Sequence, residues 1–306
     1  MLHHLPLSWA RAPVAEPRLH YVSLALSRLT WIPTAEIPFD IAFEQIFRDY
    51  LLPLPRGFVL QFCNEDLSRF VIDNGGKALQ IGLEALLPLQ QQPWDRPSLW
   101  ALARRGRRGG TVQELLPSPE NQRKLKELMA STPYAHRPQL ALAFRTRFDN
   151  TVRCFAFVSP GGQWQAAVTL SQVSAGYLHT ELLLRHRRAP AGAVEALITG
   201  AAETLLAQGL HTWSLGGVPF ARSNQPAELV GQPLKTMAVN SAGRLFKFAY
   251  NYEGLFKFKD KFRPQWRPLF LCAAPNFPWR VLADLAFKMN YLQLVTYSAW
   301  NALTPG

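Results

Sequence analysis

The chain has little cysteine, and no two cysteines stand close together: Cys63, Cys154 and Cys272 are scattered through 306 residues. That excludes zinc ribbons and thioredoxin-like CxxC chemistry, and an odd, sparse count suits a reducing compartment. Long apolar runs are missing too. No stretch approaches the roughly 20 residues that span a bilayer, and the N-terminal MLHHLPLSWARAP has no basic segment followed by a sustained apolar one. A cytoplasmic chain without a transmembrane segment is expected. There is no GxSxG elbow, HExxH, GxxxxGK(S/T) loop or Asp-rich calcium loop, so metal is not expected at the site. Acidic residues are scarce, with 21 Asp and Glu against 33 Lys and Arg, a formal net charge of +12.

What is present points to a folded, basic protein. Hydrophobic residues make up 48% of the chain, enough burial to offset the entropy of ordering it. The length is about twice a common single core of roughly 100 to 150 residues, which favours two cores in contact. Residues 1–92 and 93–274 are the expected units, joined through the polar QQQPWDRP, with an apolar tail over 275–306 that packs on the core or lies in a membrane interface. The positive excess favours a polyanionic partner, nucleic acid or an anionic membrane surface. It is clustered: Arg96, Arg104, Arg105, Arg107 and Arg108, then Arg185, Arg187 and Arg188, then Lys257, Lys259, Lys261, Arg263 and Arg267. Any one cluster reads equally as a solvated face.

Hydrophobic periodicity predicts helices over 39–52, 65–72, 98–108, 119–130, 193–208 and 241–250. Strands are predicted over 58–62, 78–89, 111–115, 140–144, 152–159, 164–171, 177–185, 212–215 and 269–273. Mixed hairpins followed by strand, helix and strand give an α+β fold, with mixed central sheets flanked by helices.

Two stretches carry candidate chemistry. In HTELLLRHRRAPAGAVEALI, residues 179–198, a strand enters a basic turn and a helix whose free amides begin near Gly192, a natural place for an oxyanion. Its RAPAGA is a degraded form of the pyrophosphate loop of acyl-CoA N-acyltransferases. Glu181 is the one carboxylate on the strand; it sits on an exposed face or in a cleft, and in a cleft its pKa rises toward that of a general base. His179, His186 and His211 read as hydrogen-bonded structural residues. In NYEGLFKFKDKFRPQWRPLFL, residues 251–271, lysines alternate with phenylalanines. On a strand this places cations on one face and rings on the other, suited to the phosphate of RNA or a lipid headgroup, or to an edge strand guarded against aggregation.

Gly254 to Leu271, GLFKFKDKFRPQWRPLFL, resembles the G-L-x-x-F/Y-K-x-K-F-x-P-x-W-x-P-x-F/Y-L signature of the C-terminal domain of phosphatidylglycerol lysyltransferases. WSLGGVPFA, from Trp213, is similar to that family's F-N-L-G-M-A-P-L-S, and Glu181 to Gly192 to its D-L-M-R-x-R-P-D-A-P-N-G. LQIGLEALLPL, from Leu79, is similar to L-K-I/L-G-E-E-A-L-V-D-L, and Arg104 to Arg108 fall where the family has a basic helix. The resemblance runs collinearly over about residues 35–272.

The resemblance implies tandem GNAT-like domains that move an aminoacyl group from aminoacyl-tRNA, the co-substrate, to a phospholipid hydroxyl at the inner membrane face, with no further cofactor. It implies Glu181 as amine anchor or base with Arg185 beside it, and Gly192 and Gly216 as backbone donors. Lys257, Lys259, Lys261 and Arg263 would meet the anionic lipid or the tRNA end, and Arg104, Arg105, Arg107 and Arg108 the tRNA phosphates. The chain departs from the pattern at three positions: the family aspartate is Glu181, the family arginine is Leu184 with Arg185 next to it, and the turn asparagine is Ala191. An acyl-CoA N-acyltransferase and a silent binder of tRNA or anionic lipid are the alternatives.

Overall fold

Strand β7 (Lys77–Pro88) organises the molecule, because eight of its twelve residues are buried and both of its edges are paired. The computed structural model describes residues 2, 4–221 and 251–303; the helix expected over 241–250 lies outside them. Around β7 runs a ten-stranded sheet in the order β3-β4-β6-β13-β7-β12-β11-β10-β9-β8. Its other members are β3 (Val22–Ser23), β4 (Thr30–Trp31), β6 (Phe58–Cys63), β8 (Thr111–Leu115), β9 (Val152–Val158), β10 (Trp164–Ser174), β11 (Tyr177–Arg185), β12 (Thr212–Pro219) and β13 (Gln265–Ala274). A small sheet of β1 (Ala10–Arg11), β5 (Ala35–Ile37) and β2 (Arg18–Leu19) lies beside it.

The division expected at residue 92 does not separate two sheets. β13, from the far end of the second unit, lies between β6 and β7 of the first and pairs antiparallel with both. Among the described residues the buried apolar side chains fall into four clusters, two of them much larger than the others. One, built on Trp213, Phe155, Phe157 and Leu197, lies under α5 (Ala193–Ala207); the other, built on Trp9, Phe43, Phe47 and Phe58, lies under α1 (Phe43–Ile46) and α2 (Glu65–Asp73). The helix predicted over 39–52 begins only at Phe43, after Ala42 with no side-chain cap, and continues as a π-helical turn, Phe47–Leu51.

α3 (Pro97–Arg107) packs across the start of α5 at a glycine-to-glycine contact. A methyl group on Gly106 would lie 2.2 Å from the carbonyl oxygen of Gly192, and one on Gly192 2.1 Å from that of Leu102. Gly192 is also left-handed, at φ 88°, so only glycine serves there. α4 (Pro119–Ala130) is capped by Ser118, whose hydroxyl accepts from the Asn121 amide.

Two expectations are corrected. Residues 140–144 bend without pairing, because this segment crosses the sheet face and spends its polar groups elsewhere: the Leu142 carbonyl accepts from Gln61 and the Arg145 amide donates to Glu181. The Lys–Phe alternation is helical, forming α6 (Tyr252–Asp260), because Asn251 caps its first turn by accepting from the Gly254 amide and Glu253 complements its N-terminus. The apolar tail folds into α7 (Arg280–Lys288) and α8 (Tyr291–Leu303); α7 is seated on the sheet through Val281 and Leu285.

Candidate active site

The parallel pair β11 and β12 holds together for only three residue pairs, ending at His179 opposite Ser214, although both strands continue. β12 then bulges at Leu215 and Gly216, and β11 bulges at Glu181 against β10. Bulges bend a strand and re-aim its side chains. Here they part the two strands, and the Thr180 hydroxyl bridges the opening by donating to the Ser214 carbonyl and accepting from the Trp213 indole. The end of α6 fills the wedge: Phe258 and Lys259 line a narrow cavity with Thr180, Leu183 and Leu215.

Lys259 is buried, and its ammonium donates to the Gly217 carbonyl at 3.0 Å. Burial lowers its pKa from 10.5 to about 7, with the Glu84 carboxylate pulling the other way. Glu84 is itself buried, accepts from the Tyr177 phenol and hydrogen bonds Ser214. Burial raises its pKa while those bonds and the charges of Arg267 and Lys259 oppose the rise. His179 faces the Ser214 hydroxyl at 3.4 Å; burial first, then the Lys259 charge, push its pKa down to about 3, so the imidazole is neutral. Lys259, Glu84, Tyr177, Ser214 and His179 thus form one buried polar cluster in which an amine can exist uncharged near neutral pH.

Glu181 lies on the same face of the sheet as Ser171, His179 and Ser214, which sit in one cross-strand row. It is buried and its oxygens are engaged: Ser171 donates to Oε1 at 2.6 Å, the Arg145 amide to Oε2 at 2.9 Å, and Arg145 Nε stands 3.7 Å from Oε1. Burial raises its pKa to about 6 against the pull of these partners. Arg145 is held from the other side by Glu36, at 3.3 Å, and by the Ala35 carbonyl.

The remaining expected residues fall into three places. Arg185 is exposed at the end of β11, and the bulge at Glu181 puts it in register with Ala166, on the α5 face, opposite Glu181. The N–H of Gly216 donates to the Ser214 hydroxyl at 3.1 Å and is not a free donor. Gly216 instead gives room: a methyl group there would stand 3.4 Å from Lys259 Nζ, at φ 87°. Gly192 is covered by the α3 backbone, as above.

Helicity also breaks up the expected row of cations. Lys257 is exposed, Lys259 is buried, and Lys261 donates to Glu195 at 3.0 Å on the first turn of α5. Arg263 is exposed in the turn before β13. Arg104, Arg105 and Arg108 line an open groove of about 500 Å³ along α3 with Trp100, while Arg107 is tied to Glu203 by two bonds, at 2.9 and 3.0 Å.

Glu84, Tyr177, Ser214 and Arg145 join this cluster or Glu181 in the fold, although the sequence motifs did not single them out. Tyr177 and Glu84 are 93 residues apart and meet only through the order of the strands. His186 accepts from the Arg188 amide and His211 meets Gln90 at 3.0 Å, both hydrogen-bonded on the surface. Among the described residues no group of three or more His, Cys, Asp or Glu is placed to hold a metal ion, and no helix is long and apolar enough to cross a membrane.

A mixed sheet parted between two parallel strands, with a helix on its wedge, is a GNAT-like fold. The structure of FemX shares this fold at 10% identity and a TM-score of 0.53, over 86% of each chain. The family model described as phosphatidylglycerol lysyltransferase, C-terminal, matches residues 101–273, more than half of the chain, and the chain belongs to that family of aminoacyltransferases. Its fold is similar to that of L-PGS from Bacillus licheniformis, with a TM-score of 0.68 at 16% identity over 92% of this chain and 88% of that one. The C-terminal domain of a putative lysylphosphatidylglycerol synthetase from Agrobacterium fabrum gives 0.63 at 18% identity, over 90% and 85%. No curated protein sequence matches the chain.

Proposed function

We propose that the chain transfers an aminoacyl group from aminoacyl-tRNA to the hydroxyl of a phosphatidylglycerol-like lipid at the cytoplasmic face of the membrane. The observation that carries this reading is Lys259, an amine held at the parted strands with its pKa brought to about 7. A neutral amine takes the proton of the acceptor hydroxyl as the oxygen attacks the ester carbonyl. The ester bond to the terminal ribose then breaks, and the same proton passes to the departing ribose oxygen. General-base assistance of this kind contributes about 100- to 10,000-fold. Glu84, Tyr177 and Ser214 hold the amine's surroundings, and neutral His179 adds no competing charge.

Glu181 is assigned to the substrate's α-ammonium. Its present neighbour is the cationic side chain of Arg145, so its surroundings already suit a cation, and the strap around residue 145 must yield to admit one. The packing of α3 on Gly192 favours this reading over acyl-CoA, because the place where a pyrophosphate would meet α5 is occupied by backbone. Purified protein given radiolabelled aminoacyl-tRNA and phosphatidylglycerol should yield label in the organic phase. Lys259→Arg, which keeps the charge but stays protonated, should lower that rate at least about 100-fold. Equal rates in the two proteins would remove Lys259 from the chemistry.

A further inference from the structure

The outer faces of the two C-terminal helices are the wrong polarity for a water-exposed surface. α7 buries Val281 and Leu285 against Leu24, Trp31 and Leu271, which satisfies its inner face. Its solvent side should then be polar. Instead Trp279, Ala283 and Phe287, spaced by four and so on one stripe, are exposed, Phe287 at 70% and Trp279 at 49%. α8 carries no charged residue, and its described exposed residues are Leu292, Gln293, Thr296 and Trp300, with Leu292 at 49% and Trp300 at 69%. Leu26 is exposed on the turn that meets α7.

The segments that meet this hairpin carry exposed charge of one sign. The hairpin is met by the turn at Leu26 and Ser27, by Ala141, whose amide donates to the Met289 carbonyl, and by His136, whose ring lies 6.3 Å from that of Tyr297. Across residues 20–31, 131–148 and 275–303 the one acidic side chain is Asp284. It is buried and saturated by the Leu26 and Ser27 amides and the Ser27 hydroxyl. Arg28, Arg137, Arg147, Arg280 and Lys288 have no acidic counterpart in those segments. Exposed aromatic and aliphatic side chains ringed by cations are what an interfacial helix presents to anionic lipid: rings settle at headgroup level and cations meet phosphate.

We infer that the outward face of the α7–α8 hairpin is the surface by which the protein docks on an anionic lipid bilayer. This rests on the proposed lipid acceptor, since a bilayer-borne substrate has to be reached, but it concerns a surface outside the parted strands. The full chain should co-sediment with vesicles of phosphatidylcholine and phosphatidylglycerol, and poorly with phosphatidylcholine alone. Phe287→Ser combined with Trp300→Ser should weaken that binding about tenfold or more. Arg280→Glu with Lys288→Glu, which leaves the rings in place, should weaken it on anionic vesicles and abolish its salt dependence in part. Unchanged thermal midpoints show that the variants are folded.

The catalytic reading is separated by supplying phosphatidylglycerol in detergent micelles. The Phe287 and Trp300 variant should transfer to micellar lipid as the wild type does while losing transfer to vesicles. Binding that persists with no transfer to either form supports the docking surface and sinks the proposed reaction. Equal vesicle binding by wild type and both variants overturns the inference. So does a wild-type dimer in solution that the Phe287 and Trp300 variant abolishes, because the face would then belong to a second copy of the chain.

Discussion

Lys259 Nζ and the carbonyl oxygen of Gly217 stand 3.0 Å apart in the gap where β11 and β12 separate, and this contact ties α6 to the parted strands. The amine has left water for a site where burial outweighs its partners. Such a residue costs stability while it is charged.

The sign of that cost can be tested. Between about pH 7 and 10.5 the unfolded chain keeps the proton on Lys259 and the folded chain has released it, so raising the pH favours the folded state. Below pH 7 the penalty is present in full. Relative to Lys259→Met, the wild type should gain about 1.4 kcal/mol for each pH unit across this window. Urea unfolding of both proteins at pH 6.5 and pH 9, both roughly placed to bracket the change, measures it. A pH-independent difference would mean that the amine stays ionised.

Glu181 predicts the opposite slope. Its folded pKa, about 6, lies above the ordinary 4.5, so its contribution is fully present below 4.5 and lost as the pH rises through 6. Above that point the buried carboxylate costs about 2 kcal/mol. Glu181→Gln keeps an acceptor for Ser171 and the Arg145 amide without the charge. It should match the wild type near pH 4.5 and exceed it by about 2 kcal/mol at pH 7.5. In the transfer assay the same variant should raise KM for aminoacyl-tRNA. A gain in stability with no change in KM would leave Glu181 a structural clasp on Arg145 alone.

Much of the scaffold was legible in the residues. β8, α4 and β11 have the bounds that periodicity predicts, because each combines a clean pattern with strong end signals, such as Ser118 ahead of Pro119. The family motifs were legible as well, and they lead to Glu181 and Lys259. Burial was not. Alternating lysine and phenylalanine suggests a period of two, yet Asn251 and Glu253 at the start and Pro264 after the end argue for a helix. That difference decides which lysine is buried. Nor does local sequence show that Tyr177 will meet Glu84, or that residues 141–148 will cover Glu181, since both depend on strand order across the sheet.

The contact between α3 and α5 gives a stability prediction free of titration. Gly106→Ala places a methyl group 2.2 Å from the Gly192 carbonyl oxygen and 3.0 Å from the Ala196 side chain, so two helices must part. Overpacking of this kind costs about 3 kcal/mol, despite the better helix propensity of alanine. Gly161→Ala, where nothing lies within 4 Å, should be close to neutral. Thermal unfolding of the two variants side by side checks the contrast, and a neutral Gly106→Ala would show that α3 is not held by this contact.

The arginines of α3 divide by what they touch. Arg107 is committed to Glu203 and lies 5.3 Å above the Trp100 ring, whereas Arg104, Arg105 and Arg108 line the open groove. If that groove takes tRNA phosphates, reversing Arg104 and Arg108 should weaken tRNA binding and reduce its dependence on salt by about one counterion per arginine. Arg107→Glu should instead lower stability through repulsion of Glu203, with a smaller change in the salt slope. Filter binding across a salt series, with a thermal midpoint for each protein, distinguishes the two effects. A salt slope that falls equally in all three variants would mean that tRNA reads the net charge of the protein and not this groove.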